Sequence, residues 1–170
     1  MTRVTYANLF TESRNNIVSL ISNTSNVSDP FSTTSEFRKW IYSREPDTKA
    51  SDFGGYPFII IHPSSFSTED TGGSVDGKSK KVFWDLEIEI VSSDRGYGDN
   101  NAKGLSHMGS ISNNIVTTLL NSTNRNTLAG QAMYFSNPVT TTVGSEVINN
   151  ERVYRRSILI SFKSRIQVSA

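Results

Sequence analysis

The chain has 170 residues, 17 Lys plus Arg against 16 Asp plus Glu, a formal net charge of +1 and no cysteine. Near-neutrality excludes a global field that draws the protein to nucleic acid or an acidic membrane, and the missing thiols exclude disulfides, thiolate catalysis and cysteine zinc sites. The length fits a single domain over residues 1–170. With no apolar run of ~20 residues and no basic-then-apolar signal pattern at the start, the expectation is a soluble protein made in the cytoplasm.

The first predicted element is a helix over Tyr6 to Asn23, where Tyr6, Leu9, Phe10, Ile17, Leu20 and Ile21 recur at helical spacing and Asn15, Asn16 and Ser19 turn outward. Thr24 to Gly55 holds Pro30, Pro46 and the Gly54-Gly55 pair, with Phe37, Trp40, Ile41 and Tyr42 between them. It reads as a long connection with one short packed element. Tyr56 to His62 is an unbroken apolar run, the pattern of a strand buried on both faces, and Pro57 restricts it to a strand start or an edge. Ser64 to Lys80 is polar and glycine-rich and is predicted as a hairpin loop. Val82 to Val91 then alternates, with Trp84, Leu86, Ile88 and Ile90 on one face of a strand and Asp85, Glu87 and Glu89 on the other. A second loop, Ser92 to Lys103, follows.

Leu105, Met108, Ile111, Ile115, Val116 and Leu119 give the clearest helical stripe, with Ser112, Asn113 and Thr117 outside. Asn121 to Asn126 is predicted as a polar turn. Gln131 to Val143 is rich in aromatic and β-branched residues, and Gly144-Ser145 separates it from a final strand, Arg152 to Val168. On that strand Tyr154, Ile158, Ile160 and Phe162 lie opposite Arg155, Lys163 and Arg165. Ordinary strands run about 5 to 6 residues, so part of this one is expected to extend beyond its own fold. The predicted class is α+β, a mainly antiparallel sheet packed against two helices in the order α-β-β-α-β-β.

Gly72, Gly77, Lys78 and Ser79 have the spacing of a phosphate-binding P-loop. That mechanism needs a helix to begin where the loop ends, and the alternation from Val82 predicts a strand instead. A nucleotide-binding enzyme built on Gly72 to Ser79 is therefore the rival reading, and chance resemblance in a hairpin loop the preferred one. Asp85, Glu87 and Glu89 share a face, but successive members stand about 6 to 7 Å apart, too far for one ion without further ligands. His62 and His107 are not tied by sequence to any serine and carboxylate. Arg152, Arg155, Arg156, Lys163 and Arg165 form a basic concentration without exposed aromatic platforms for bases. No catalytic, cofactor-binding or metal residue follows, and no cofactor is expected. The candidates are contact charges at a subunit interface or channel lumen: Asp85, Glu87, Glu89, Arg155, Lys163 and Arg165.

The element order in a chain of this size resembles the tail terminator (tail completion) proteins of long-tailed bacteriophages. The resemblance runs from about Tyr6 to Val168 and is carried by Tyr56-Pro57-Phe58-Ile59-Ile60-Ile61, the Trp84 to Val91 strand, the Met108 to Leu120 helix and the long final strand. It implies a non-enzymatic virion protein, assembled in the host cytoplasm, that forms a hexameric ring on the tail tube. Such a ring stops tube growth, joins the head-tail connector and lets genomic DNA pass through its lumen. A neck protein or a tail tube protein of the same virion is the neighbouring expectation. The loops Ser64 to Lys80 and Ser92 to Lys103 would reach tube or connector.

Overall fold

The computed structural model describes residues 1–23, 25–31, 38–70, 79–94, 104–148 and 150–167. In chain order the elements are α1 (Leu9–Ile21), β1 (Ile41–Tyr42), β2 (Phe58–Asp70), β3 (Ser79–Ser93), α2 (Gly104–Leu120), α3 (Ser122–Gly130), β4 (Tyr134–Phe135), β5 (Val139–Thr140), β6 (Gly144–Ile148) and β7 (Glu151–Gln167). Among the described residues, three helices and a seven-stranded mixed sheet replace the predicted two helices and the α-β-β-α-β-β order. The sheet runs β1-β2-β3-β7-β4, with β5 and β6 also pairing β7. It is mixed because β1 lies parallel to β2, whereas the other pairs are antiparallel.

Each departure has a local cause. The predicted turn from Asn121 is a helix start: the Asn121 side chain accepts from the N–H groups of Thr123 at 3.0 Å and Asn124 at 3.3 Å. That satisfies two of the donors a helix leaves open at its first turn. Only Leu128 of α3 is buried, so no apolar stripe announces the helix. The predicted loop from Ser64 is strand at both of its described ends, because β2 continues to Asp70 and β3 begins at Ser79, with a bulge between Pro63 and Ser65. Hydrogen-bonded ladders form between polar residues as readily as between apolar ones, and Phe66 opposite Trp84 keeps the alternation in phase. Gly144-Ser145 opens β6, which folds back on β7 with Ile148 opposite Glu151. Asn150, between them, adopts φ 65°, a left-handed conformation that asparagine tolerates in turns.

The long final strand does not leave its own fold. β7 pairs with β3 from Gln167 opposite Ser79 to Val153 opposite Ser93. The helices cover one face of this pair. Ile17, Leu20 and Ile21 of α1, Met108, Ile111, Ile115 and Leu119 of α2, and Leu128 of α3 pack with Trp84, Leu86, Ile88, Ile90, Ile158, Ile160 and Phe162. Trp84 and Phe162 stack at 5.3 Å, and Phe135 lies 5.6 Å beyond. A second, smaller cluster sits on the opposite face at one end: Tyr42, Phe58, Ile60, Val91 and Val153, with Phe53, Tyr56 and Ile148 against it. Ile59 and Ile61 face one core and Phe58 and Ile60 the other, so this run is buried on both faces, as its unbroken apolar sequence predicts.

Two polar residues predicted to turn outward are buried, Asn16 on α1 and Ser112 on α2. The Asn16 amide accepts from Thr2 N–H at 2.9 Å and donates to Thr2 C=O at 2.7 Å, pinning the N-terminal segment. Conversely, Tyr6 and Phe10, predicted on the inward stripe, are exposed and meet Phe66 edge-on at 6.0 and 5.8 Å.

Candidate functional site

The alternation of β3 sets Asp85, Glu87 and Glu89 on the face away from the helices, and the register places Arg155, Lys163 and Arg165 on that same face of β7. They do not form one cluster. Asp85 lies opposite Ser161 and Glu87 opposite Leu159, while Lys163 lies opposite Phe83 and Arg165 opposite Lys81. At ~3.4 Å per residue, Arg155 and Lys163 stand roughly 27 Å apart.

Only Glu89 meets one of the predicted basic partners, and it does so within the subunit: Arg155 Nη1 donates to Glu89 Oε1 at 2.9 Å. Arg155 also donates through Nε to Glu146 Oε1 at 2.7 Å and through Nη2 to Glu45 Oε1. One guanidinium thus ties together three carboxylates, from β3, from β6 and from the segment before β2. Burial alone would lower the Arg155 pKa, but the hydrogen bonds to Glu45, Glu146 and Glu89 outweigh it and raise it, so the cation is permanent.

The other two carboxylates have milder partners. Ser65 donates its hydroxyl to Asp85, and His62 Nε2 stands 3.9 Å from Glu87 Oε2. His62 is therefore a side chain within β2 facing a carboxylate. His107 lies on α2, edge-on to Phe31 at 5.1 Å. The basic concentration is divided, since Arg156 lies opposite Ile90 and shares the helix-side face with Tyr154. Among the described residues no group of three His, Asp or Glu is placed to hold a metal ion, and no helix is long and apolar enough to cross a membrane. Gly72, Gly77 and Lys78 of the P-loop pattern lie outside the described residues, as does most of the Ser92 to Lys103 loop. Ser79 opens β3, so a strand follows where a nucleotide site needs a helix N-terminus.

The strongest polar assembly lies elsewhere. Arg38 donates Nε and Nη2 to the two oxygens of Asp29, each at 2.6 Å. It also donates Nη1 to the carbonyls of Gly54 at 2.8 Å and Gly55 at 2.7 Å, and Nη2 to that of Pro57 at 2.6 Å. Every N–H of the guanidinium has an acceptor in this set. Gly54 permits it, because a Cβ there would stand 2.2 Å from the Lys39 carbonyl oxygen, and Gly55 adopts φ 83°. The clamp holds residues 38–57 against the sheet and so presents Glu45 to Arg155. The same segment and Arg14 of α1 line a groove of about 730 Å³ that includes Lys39, Arg44, Asp47 and Asp52. Sequence reading missed Asp29, Arg38, Glu45 and Glu146. Glu146 was accessible, since the turn at Asn150 sets it opposite Val153, but nothing local links Glu45 with a residue 110 positions away.

No protein-family model matches this chain, and no curated protein matches it.

Proposed function

We propose that this chain is a non-enzymatic structural protein of a long-tailed phage virion, a tail terminator. Its subunits close into a six-membered ring on the last ring of tail-tube protein, block further addition and offer the opposite ring face to the head connector, with DNA passing through the lumen. One observation supports ring closure above others: exposed apolar side chains gather at both edges of one sheet. Among the described residues, β1 pairs Ile59 and Ile60 at one edge, Arg14 Nε donates to the Ile61 carbonyl at 3.1 Å, and farther along β2 the exposed Phe66 stands beside Tyr6 and Phe10. At the other, Val139 is 62 % and Val147 70 % exposed. Bare strand edges with apolar rims favour pairing with another chain, and a contact between two different edges is heterologous, the kind that closes into a ring.

The element order that prompted the resemblance does not hold, whereas the strand through Trp84 to Val91, the helix through Met108 to Leu120 and the long final strand that carried it locally are present. The test is polymerisation of tail-tube protein from the same virus in the presence of the chain, followed by negative-stain imaging. Tubes should stop short and carry a six-fold ring at one end, and Phe66→Asp or Val139→Asp should abolish capping. Tubes that elongate unchanged with bare ends would sink the reading.

A further inference from the structure

The middle of the sheet, on the side away from the helices, faces solvent. Lys81, Ser161 and Lys163 are exposed, and Phe83, Asp85, Glu87 and Leu159 are only partly buried. From the hairpin end, this face of β3 presents Lys81, Phe83, Asp85 and Glu87, beside Arg165, Lys163, Ser161 and Leu159 of β7. Lys81, Lys163 and Arg165 stand toward the hairpin end, with Glu69 of β2 opposite Lys81, and Asp85 and Glu87 stand in the middle with His62 opposite Glu87, about 20 Å from Lys81 to Glu87 at the usual strand rise. Apolar area accompanies them in Phe83 and Tyr134, both opposite Lys163, and in Leu159 opposite Glu87.

We propose that this face is a contact between two copies of the chain, related by a two-fold axis that runs parallel to the sheets, midway between them, and crosses the strands between Phe83 and Asp85. The arrangement sets Lys81 over the partner subunit's Glu87 and brings Lys163 beside the partner subunit's Asp85, each pair occurring twice by symmetry. Two copies stacked with their strands in the same direction would instead set lysine on lysine and carboxylate on carboxylate. The charge order therefore selects the antiparallel arrangement. Sheets pack face to face in this manner at about 10 Å, with side chains of both inner faces interdigitating.

Four rows of side chains and four strands give a face of roughly 27 by 19 Å, so about 1,000 Å² is buried over both copies. That is the lower bound for a specific interface and describes a weak, reversible, salt-sensitive dimer. It goes beyond the ring reading: ring closure uses the edges of the sheet and this contact its face, the two meeting at Val139, which lies opposite Leu159, while Phe66 and Val147 belong to the edges alone.

Sedimentation equilibrium at low and high salt tests it on wild type, Lys81→Glu, Glu87→Lys and the double charge swap. Wild type should dimerise with rising concentration at low salt and less at high salt. Each single reversal should weaken dimerisation by about tenfold or more, because two symmetric pairs become repulsive, and the double swap should restore it. Phe66→Asp, at the sheet edge, should dimerise like wild type even if it no longer caps tubes. A strictly monomeric wild type, single reversals without effect, a double swap that fails to restore, or a dimer lost in Phe66→Asp would each overturn the proposal. Circular dichroism melts of the variants distinguish loss of contact from loss of fold.

Discussion

Replacing Arg38 with methionine should be among the most damaging single changes in this protein. The side chains of Arg38 and Asp29 are only 7 % and 3 % exposed, so the pair lies out of water and its charges are not screened. Removing the guanidinium leaves a buried carboxylate without its counter-charge and deprives the carbonyls of Gly54, Gly55 and Pro57 of a donor. Breaking a buried pair from one side costs about 3 to 5 kcal/mol, against a total stability of about 5 to 15 kcal/mol for an ordinary domain. Urea unfolding followed by circular dichroism measures the loss. Limited proteolysis between residues 43 and 53 should accelerate in parallel, because the clamp is what holds that segment to the sheet. The double variant Asp29→Leu/Arg38→Met should recover part of the stability, since no lone charge remains buried. A loss below about 1 kcal/mol for Arg38→Met, the range of an exposed ion pair, would refute the view that this arginine is a desolvated clamp.

Two further outcomes follow from the geometry. The three carboxylates on Arg155 should contribute in order of burial: Glu89, 20 % exposed, should cost about 1 to 2 kcal/mol as Glu89→Gln, while Glu45→Gln and Glu146→Gln, 56 % and 50 % exposed, should each cost less than about 1 kcal/mol by the same unfolding assay. Equal losses at all three positions would contradict that ranking. Asn121→Ala should cost about 0.5 to 2 kcal/mol and Asn121→Ser much less, because only the alanine leaves the Thr123 and Asn124 N–H groups without an acceptor.

What could be read along the chain was whatever a single period records. The stripe from Leu105 to Leu119 marked α2, the alternation from Val82 marked the two faces of β3, and the run at Phe58 to Ile61 marked a strand between two cores. Periodicity registers only which residues leave water. It was silent on α3, which buries one residue, and on the far half of β2, whose polar side chains alternate without contrast. It misassigned Asn16, since a buried amide satisfied by Thr2 looks the same in sequence as an exposed one.

The charged face shows the same division. The sequence of β3 and β7 settled that carboxylates and cations would stand on the side opposite Trp84 and Phe162, because a strand turns successive side chains to opposite faces whatever its neighbours are. Which charges meet depended on register, and register is set by pairing between strands far apart in the chain. Val91 opposite Arg155 puts Glu89 within reach of that guanidinium, while the same ladder holds Lys163 beside Phe83, rows away from Glu87. Glu45 arrives through a third route, the folding back of residues 38–57 under the Arg38 clamp. Alternation is a property of one strand, but contact between charges belongs to the fold, because it depends on how separate strands are aligned.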